Sequence, residues 1–168
     1  MPATDLGSHQ WFAVHTRSRH ENVVAHHLRG RSIEHLLPVY QSMRRWKDRT
    51  KKLNLPLFPG YLFVHIPRSE SRRVLELPGV ARLVGSPRPQ ALAEQEIDQI
   101  QQWSLFPHLL EPHPYLQIGR RVRICSGPMA ELEGILIRKK NDLRLVVSIE
   151  LIQRSVAVEV DAVDVVPN

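Results

Sequence analysis

The sequence contains one cysteine, few aromatic residues and no long apolar run, and each scarcity excludes a class of protein. Its 168 residues include only Cys125 as a cysteine, so no disulfide forms within the chain and we expect a reducing, cytoplasmic compartment. No run of about 18 apolar residues occurs, and residues 1–10 lack the pattern of a secretory signal. We therefore expect a protein that neither crosses nor inserts into a membrane.

Motifs for catalysis, cofactors and metals are also missing. Cys125 has no sequence partner that would activate it, no glycine-rich phosphate loop occurs, and the acidic residues form no distinctive pair. Among the nine histidines, His26 and His27 are adjacent and cannot both face one ion from one side of a helix, and the others show no ligand spacing. We expect neither an enzyme nor a protein that binds a metal or cofactor.

Acidic residues are outnumbered by basic ones, and the excess is concentrated in one segment. The chain has 23 Lys and Arg against 17 Asp and Glu, a net charge of +6 that favours a polyanionic partner, nucleic acid first and an anionic membrane surface second. Residues 44–52 read Arg-Arg-Trp-Lys-Asp-Arg-Thr-Lys-Lys. Such a segment can neutralise phosphates, and an exposed tryptophan within it can stack on an unpaired base. The alternative is a solvated loop without a ligand.

The most hydrophobic stretch follows a proline-punctuated turn, and residues 53–66 read Leu-Asn-Leu-Pro-Leu-Phe-Pro-Gly-Tyr-Leu-Phe-Val-His-Ile. After Gly60 the residues are aromatic, β-branched or long and apolar, so residues 61–66 are typical of a strand buried on both faces. Gly60 itself indicates a position that needs an unusual φ or a close backbone approach. The basic segment leads into this strand, which predicts a long hairpin with an exposed tip.

The rest of the first hundred residues alternates between strands and helices. Ser18 and Glu21 have the spacing of a capping box, which predicts a helix to about Arg29 with Gly30 as its stop. The other predicted elements are strands at 11–15, 33–43 and 80–85, a helix opened by residues 67–70 and ended by Pro78 and Gly79, and a helix from residue 91 to about Trp103. This order predicts a compact α+β domain at residues 9–105 with a mostly antiparallel sheet.

The last third of the chain has a different composition. Residues 106–115 include three prolines and show no periodicity, which predicts a stiff proline-rich linker. Residues 116–168 contain β-rich segments at 121–125, 134–138, 143–149 and 156–160, separated by turn residues. About fifty residues of this kind bury a core by closing into a small barrel, so we predict a second, β-barrel domain.

Taken in order, these segments resemble a known family. Trp-Phe-Ala-Val at residues 11–14, the helix from Ser18, the basic hairpin, Phe-Pro-Gly-Tyr-Leu-Phe-Val at 58–64 and Leu-Pro-Gly-Val at 77–80 resemble the N-terminal (NGN) domain of NusG-family transcription elongation factors. Gly-Arg-Arg-Val-Arg-Ile at 119–124, Ser-Gly-Pro-Met-Ala at 126–130 and Leu-Glu-Gly at 132–134 resemble the family's KOW domain. The resemblance covers nearly the whole chain. It implies an α+β NGN domain, with an antiparallel sheet flanked by helices, followed by a small SH3-like KOW β-barrel.

The resemblance implies a non-catalytic monomer that binds RNA polymerase, on the clamp helices of the β′ subunit and towards the gate loop of the β subunit. The positions that match the polymerase-binding surface are Trp11, Phe58, Tyr61 and Phe63, with Ser71 and Arg72 at the gate-loop contact. Large aromatic residues make plausible binding hot spots, and the alternative is that all four are core residues. The resemblance further implies contact with upstream or non-template DNA in the transcription bubble. The residues concerned are Arg44, Arg45, Trp46, Lys47, Arg49, Lys51 and Lys52 of the hairpin, with Arg17 and Arg19 at the start of the first helix.

The KOW domain of this family selects a second partner, ribosomal protein S10 or the termination factor Rho, and the matching residues here are Met129, Leu151 and Ile152. Residues 151–154 read Leu-Ile-Gln-Arg where the housekeeping pattern has an aromatic residue followed by glycine. This departure favours a specialised, operon-specific antiterminator of the RfaH, LoaP or UpxY kind over a housekeeping NusG. The many valines after residue 145 predict a stable barrel in place of a helical hairpin. The alternative from another class is a ribosome-type KOW module that binds RNA.

Overall fold

The computed structural model describes residues 7–85 and 87–168, so residues 1–6 of the N-terminal segment lie outside the described part. The chain forms two compact units. The first comprises residues up to Pro38 together with Phe58–Gln101, and the second comprises Val39–Leu57 together with Gln102–Asn168. The basic segment therefore groups with the C-terminal part of the chain.

The described residues form the following elements in chain order. The strands are β1 His9–Thr16, β2 His35–Leu36, β3 Val39–Trp46, β4 Arg49–Pro56, β5 Tyr61–Pro67, β6 Val80–Leu83, β7 Ala91–Leu92, β8 Leu110–His113, β9 Arg121–Ile124, β10 Glu133–Lys139, β11 Asp142–Ile149, β12 Arg154–Val160 and β13 Val165–Pro167. The α-helices are α1 Glu21–Gly30, α2 Ser71–Leu75 and α3 Glu94–Trp103. No helix in this part of the chain has the length and apolar character needed to cross a membrane.

The first unit is built on an antiparallel sheet whose central strands are β5 and β1. Its order is β2-β5-β1-β6, and β7 also pairs with β1. Because alternate residues of a strand face opposite sides, Phe12 and Val14 of β1 lie on one face with Leu62 and Val64 of β5. That face packs against apolar residues of α1 and α2, among them Val24. The sequence correctly predicted β5 as a strand buried on both faces.

The start and end of α1 differ from the prediction. Glu21 does not close a capping box with Ser18; the helix begins at Glu21 without a side-chain cap, and the Glu21 carboxylate instead accepts a hydrogen bond from the distant Gly60. Gly30 belongs to the helix, and the residue with a left-handed backbone is Ser32, at φ 54°. Local spacing in the sequence identified the helix. The capping box does not form, because the Glu21 carboxylate that it requires is hydrogen-bonded to Gly60 instead.

The second predicted helix is also shorter than expected. A turn of 3-10 helix at Arg68–Glu70 precedes α2, which has only five residues. The apolar stretch at 33–43 is divided by Pro38 into β2 and β3, which belong to different sheets. The predicted long hairpin is thus made of two pairs, β2 with β5 and β3 with β4.

The C-terminal part is an all-antiparallel six-stranded sheet in the order β13-β9-β10-β11-β12-β8. The four strands predicted there correspond to β9, β10, β11 and β12. Strand β8 lies within the predicted linker and pairs with β12 through Leu110–His113, although the domain boundaries themselves stay a prediction. The sequence did not indicate this strand because it contains Pro112, and proline argues against a strand inside a sheet. Proline is tolerated where a strand lies at the edge of a sheet, as β8 does. The α+β fold class is confirmed.

Candidate nucleic-acid and protein interfaces

The basic segment forms a two-stranded antiparallel ribbon. Strands β3 and β4 pair from Val39 opposite Pro56 to Trp46 opposite Arg49, and a two-residue turn of Lys47 and Asp48 joins them. All residues from 43 to 52 are exposed, whereas residues 39–42 at the base are partly buried. The distal half of this ribbon, which we call the hairpin tip, is therefore available to a partner.

The hairpin tip carries a large excess of positive charge. It contains the cations Arg44, Arg45, Lys47, Arg49, Lys51 and Lys52 and one acid, Asp48. None of the ion pairs found among the described residues involves a side chain of the tip. Trp46 has 61% of its surface exposed, a large fraction for an apolar side chain. Cations with no acidic partner beside an exposed indole can neutralise phosphates and stack on a base.

Arg17 and Arg19 lie in the loop between β1 and α1, not in the first turn of the helix as predicted. Both side chains are exposed and line a groove of about 680 Å³ together with His15, Pro59 and Gly60. The loop is held where it leaves β1 by two backbone hydrogen bonds, from Thr16 N–H to the Gly60 carbonyl and from Arg17 N–H to the Gly79 carbonyl, both 2.8 Å. The two arginines are thus presented from a fixed loop.

The four aromatic residues expected to bind polymerase lie together on the face of the first sheet opposite the α1 and α2 core. Trp11 stacks on its cross-strand neighbour His65 at 4.8 Å, and Tyr61 stacks on its neighbour His15 at 4.9 Å between ring centroids. Phe63 lies between these pairs and meets Phe58 edge to face at 5.8 Å. The family resemblance assigned these aromatics to one binding surface, and the structure adds the two histidines to it.

These aromatic side chains are buried in the structure. Trp11 and Tyr61 are each 7% exposed, Phe58 is 1% exposed and Phe63 is fully buried. A binding hot spot has to present area to its partner, so Phe58 and Phe63 act as core residues in this arrangement of the chain. Their role in binding a partner stays a prediction.

Ser71 and Arg72 lie at the start of the short helix α2. Arg72 is exposed, and Ser71 is half-buried with its hydroxyl donating to the Arg68 carbonyl at 2.6 Å. The neighbouring Arg73 donates to Glu70 at 3.0 Å. Arg72 is thus an exposed cation that a partner could reach.

In the C-terminal sheet the three predicted partner-binding residues differ in exposure. Met129 and Ile152 are buried, and Leu151 is half-buried. Met129 lines a pocket of about 230 Å³ with an apolar wall that includes Pro128 and Val160 and an acidic rim of Glu159, Asp161 and Asp164. Sequence reasoning missed this rim because the acids lie some thirty residues from Met129 along the chain and are brought together only by the fold.

The turn after β11 has a backbone conformation that favours glycine, although the turn contains no glycine. Gln153 has φ 48° and ψ 50°, a left-handed conformation that side chains rarely adopt. It follows Ile152 in the segment whose sequence departs from the housekeeping pattern.

Comparison with known proteins gives consistent results. Residues 9–101 match the family model described as transcription termination factor nusG. The transcription termination/antitermination protein NusG of Staphylococcus epidermidis strain ATCC 12228 is 33% identical over 175 aligned positions, and that of Staphylococcus carnosus strain TM300 is 30% identical. Both alignments cover 94% of this chain and 94% of the relative.

A solved structure, described as domain interaction in Thermotoga maritima NusG, is similar in fold. It aligns with a TM-score of 0.57 at 22% identity and covers 94% of this chain and 96% of its own. At this identity the similarity shows the fold alone. It supports an N-terminal α+β region followed by an antiparallel β region.

Proposed function

This chain belongs to the NusG family of transcription termination and antitermination factors, and on that premise we propose that it is an operon-specific antiterminator. Members of this family are not enzymes, and membership implies binding to RNA polymerase. The proposed seat is the β′ clamp helices, with a second contact to the β gate loop through Ser71 and Arg72. The protein would act as a monomer in the cytoplasm and hold the clamp closed while its hairpin contacts upstream or non-template DNA.

The observation that supports DNA contact is the hairpin tip. Its six cations have no acidic partner among the described ion pairs, and an exposed tryptophan lies between them. A factor bound to polymerase needs such a surface to engage the nucleic acid that leaves the enzyme, since phosphate neutralisation supplies most of the sequence-independent affinity.

The observation that supports a specialised role is the turn at Leu151–Arg154. Gln153 has a left-handed backbone within the segment where the housekeeping pattern has an aromatic residue followed by glycine, and aliphatic residues precede it. An aliphatic surface offers a weaker anchor than an aromatic one, because aromatic side chains bury more area. We therefore propose that coupling to ribosomal protein S10 or Rho through Met129, Leu151 and Ile152 is reduced in this protein.

Affinity capture from a nuclease-treated bacterial lysate tests polymerase binding. We expect the tagged protein to recover the β and β′ subunits and the Tyr61→Ala variant to recover fewer. Val23→Ala is the matched control, because Val23 is an exposed apolar residue of α1 outside the aromatic face. Circular dichroism has to show that both variants are folded. Recovery of ribosomal proteins in place of polymerase would contradict the proposal and favour the RNA-binding alternative.

Transcript sequencing in a strain without the gene tests operon specificity. We expect transcripts of distal genes to fall in a small number of long operons and to stay unchanged elsewhere. A change at most terminators across the genome would contradict the specialised role and indicate a housekeeping factor.

A further inference from the structure

From the register of the hairpin we infer that one face of it, formed by Arg44, Trp46, Arg49 and Lys51, binds unpaired nucleic acid with the Trp46 indole as a stacking platform. We call this the Trp46 face. The inference rests on the proposed function only in locating the hairpin near nucleic acid. It goes further in naming the class of ligand, a single strand in place of a duplex, and the side chains that select it.

The register of the ribbon assigns every tip residue to a face. Cross-strand partners in a sheet project to the same side, and successive pairs alternate. Trp46 is paired with Arg49, and Arg44 is paired with Lys51, so these four side chains share one side. The opposite face carries Arg45 paired with Thr50 and Met43 paired with Lys52.

The two faces therefore have comparable charge but different chemistry. The Trp46 face has three cations around an indole, and the opposite face has two cations, a threonine and a methionine. All eight side chains are exposed. Electrostatic attraction alone would use both faces, whereas only the Trp46 face adds an aromatic surface on which a base can stack.

The exposed indole favours an unpaired ligand. In a duplex the faces of the bases are covered by their neighbours, so stacking on a protein side chain requires bases that are free. Arg44, Arg49 and Lys51 share this face with the indole and can neutralise the phosphates on either side of a stacked base. The surface thus combines the two features that sequence-tolerant single-strand sites use, a cationic track and an aromatic platform.

The positions of the three tryptophans make the inference directly measurable. Trp11 is 7% exposed and Trp103 is 2% exposed, so Trp46 is the tryptophan that a ligand can reach. Intrinsic fluorescence of the full chain, titrated with a short mixed-sequence single-stranded DNA, should therefore be quenched through Trp46. The variants Trp46→Phe and Trp46→Ala lack the fluorescence of Trp46. Their affinities are therefore measured by the fluorescence anisotropy of a labelled oligonucleotide.

The experiment compares matched double variants at several salt concentrations. Arg44→Ser with Lys51→Ser removes two charges from the Trp46 face, and Arg45→Ser with Lys52→Ser removes two from the opposite face. We expect the first pair to lower the slope of log affinity against log salt by about 1.4, and the second to change it little. Trp46→Ala should weaken binding about tenfold at constant salt, and Trp46→Phe should recover part of that loss.

Binding measurements with single-stranded DNA, duplex DNA and single-stranded RNA identify the class and source of the ligand. We expect single-stranded DNA to bind more tightly than the duplex of the same sequence, and single-stranded RNA measured beside it identifies which strand of the transcription complex is preferred. Tighter binding of the duplex, equal effects of the two double variants, or an unchanged affinity in Trp46→Ala would each overturn the inference. None of these results depends on polymerase capture, so failure here is distinguishable from failure of the proposed function.

Discussion

The carboxylate of Glu21 accepts a hydrogen bond from the backbone N–H of Gly60, with Oε1 and N 2.7 Å apart, although the two residues are 39 positions apart in the chain. Gly60 has φ 85°, and its carbonyl accepts from Thr16, so both of its backbone polar groups are used by the β1–α1 region. This contact joins the first turn of α1 to the turn that starts β5. Glu21 and Gly60 both line the groove that Arg17 and Arg19 also line.

Replacement of Glu21 tests that contact. Glu21→Ala should lower the free energy of unfolding by about 1–3 kcal/mol, because it leaves the Gly60 N–H without its acceptor in a mostly buried position. Glu21→Gln keeps an acceptor oxygen and should lose less. Urea unfolding followed by circular dichroism measures both, and equal losses in the two variants would contradict the role assigned to the hydrogen bond.

The positive φ of Gly79 predicts intolerance of a side chain. At φ 89° a Cβ would lie 3.0 Å from the Cβ of His20 and 3.1 Å from Cγ2 of Val24, so Gly79→Ala should cost at least about 1 kcal/mol of stability. Gly30 is the control: it is helical, and a Cβ there meets nothing within 4 Å. Gly30→Ala should be neutral or stabilise by up to about 1 kcal/mol. The midpoint temperature of thermal unfolding should fall in Gly79→Ala and should stay unchanged or rise in Gly30→Ala.

The buried aromatics should respond as core residues. Phe63→Ala should lower the free energy of unfolding by about 3–5 kcal/mol, because it empties a fully buried position beside Phe58. Leu105→Ala is the control, since Leu105 is 73% exposed and should change stability by less than about 0.5 kcal/mol. A small loss in Phe63→Ala would indicate that the aromatic face is loosely packed and open to a partner.

An ion-pair cluster ties β8 to the rest of the C-terminal sheet. Glu111 of β8 accepts from Lys139 at 3.1 Å and from Arg144 at 3.3 Å, and the Arg144 side chain is only 14% exposed. Glu111→Gln should therefore destabilise the protein by about 1 kcal/mol at low salt and by less at high salt. Glu131→Gln breaks the exposed pair with Arg123 and serves as the control, with an expected effect near zero. Salt-independent losses would argue against an electrostatic contribution.

Two serines, Ser155 which is buried and Ser148 which is half-buried, hold the segment that leads into β9. Ser155 accepts from the Leu116 N–H at 3.0 Å, and Ser148 donates to the Leu116 carbonyl at 2.6 Å. Ser155→Ala should cost about 1–3 kcal/mol, because the amide of Leu116 loses its partner. Hydrogen exchange of that amide should accelerate more than exchange elsewhere in the sheet. Unchanged protection at Leu116 would show that another group satisfies it.

Local patterns in the chain accounted for most of the elements. The unbroken apolar run after Gly60 identified β5, a helix was correctly predicted in the region of α1, and the basic segment was correctly placed in a hairpin. The family resemblance was likewise readable from motifs in order. These features depend on neighbours within a few residues, so the sequence contains them directly.

Other features were decided by contacts between distant residues. The carboxylate of Glu21 bonds to Gly60 in place of its own helix, β8 forms because β12 offers an edge to a proline-containing segment, and burial of Phe58 and Phe63 follows from packing. The division of the hairpin into two chemically different faces also needed the pairing of Trp46 with Arg49. By itself the sequence determined most of the elements, the family and the charge of the hairpin. Tertiary structure decided which polar groups meet and which side chains remain exposed, because hydrogen-bond partners and buried area are set by residues far apart in the chain.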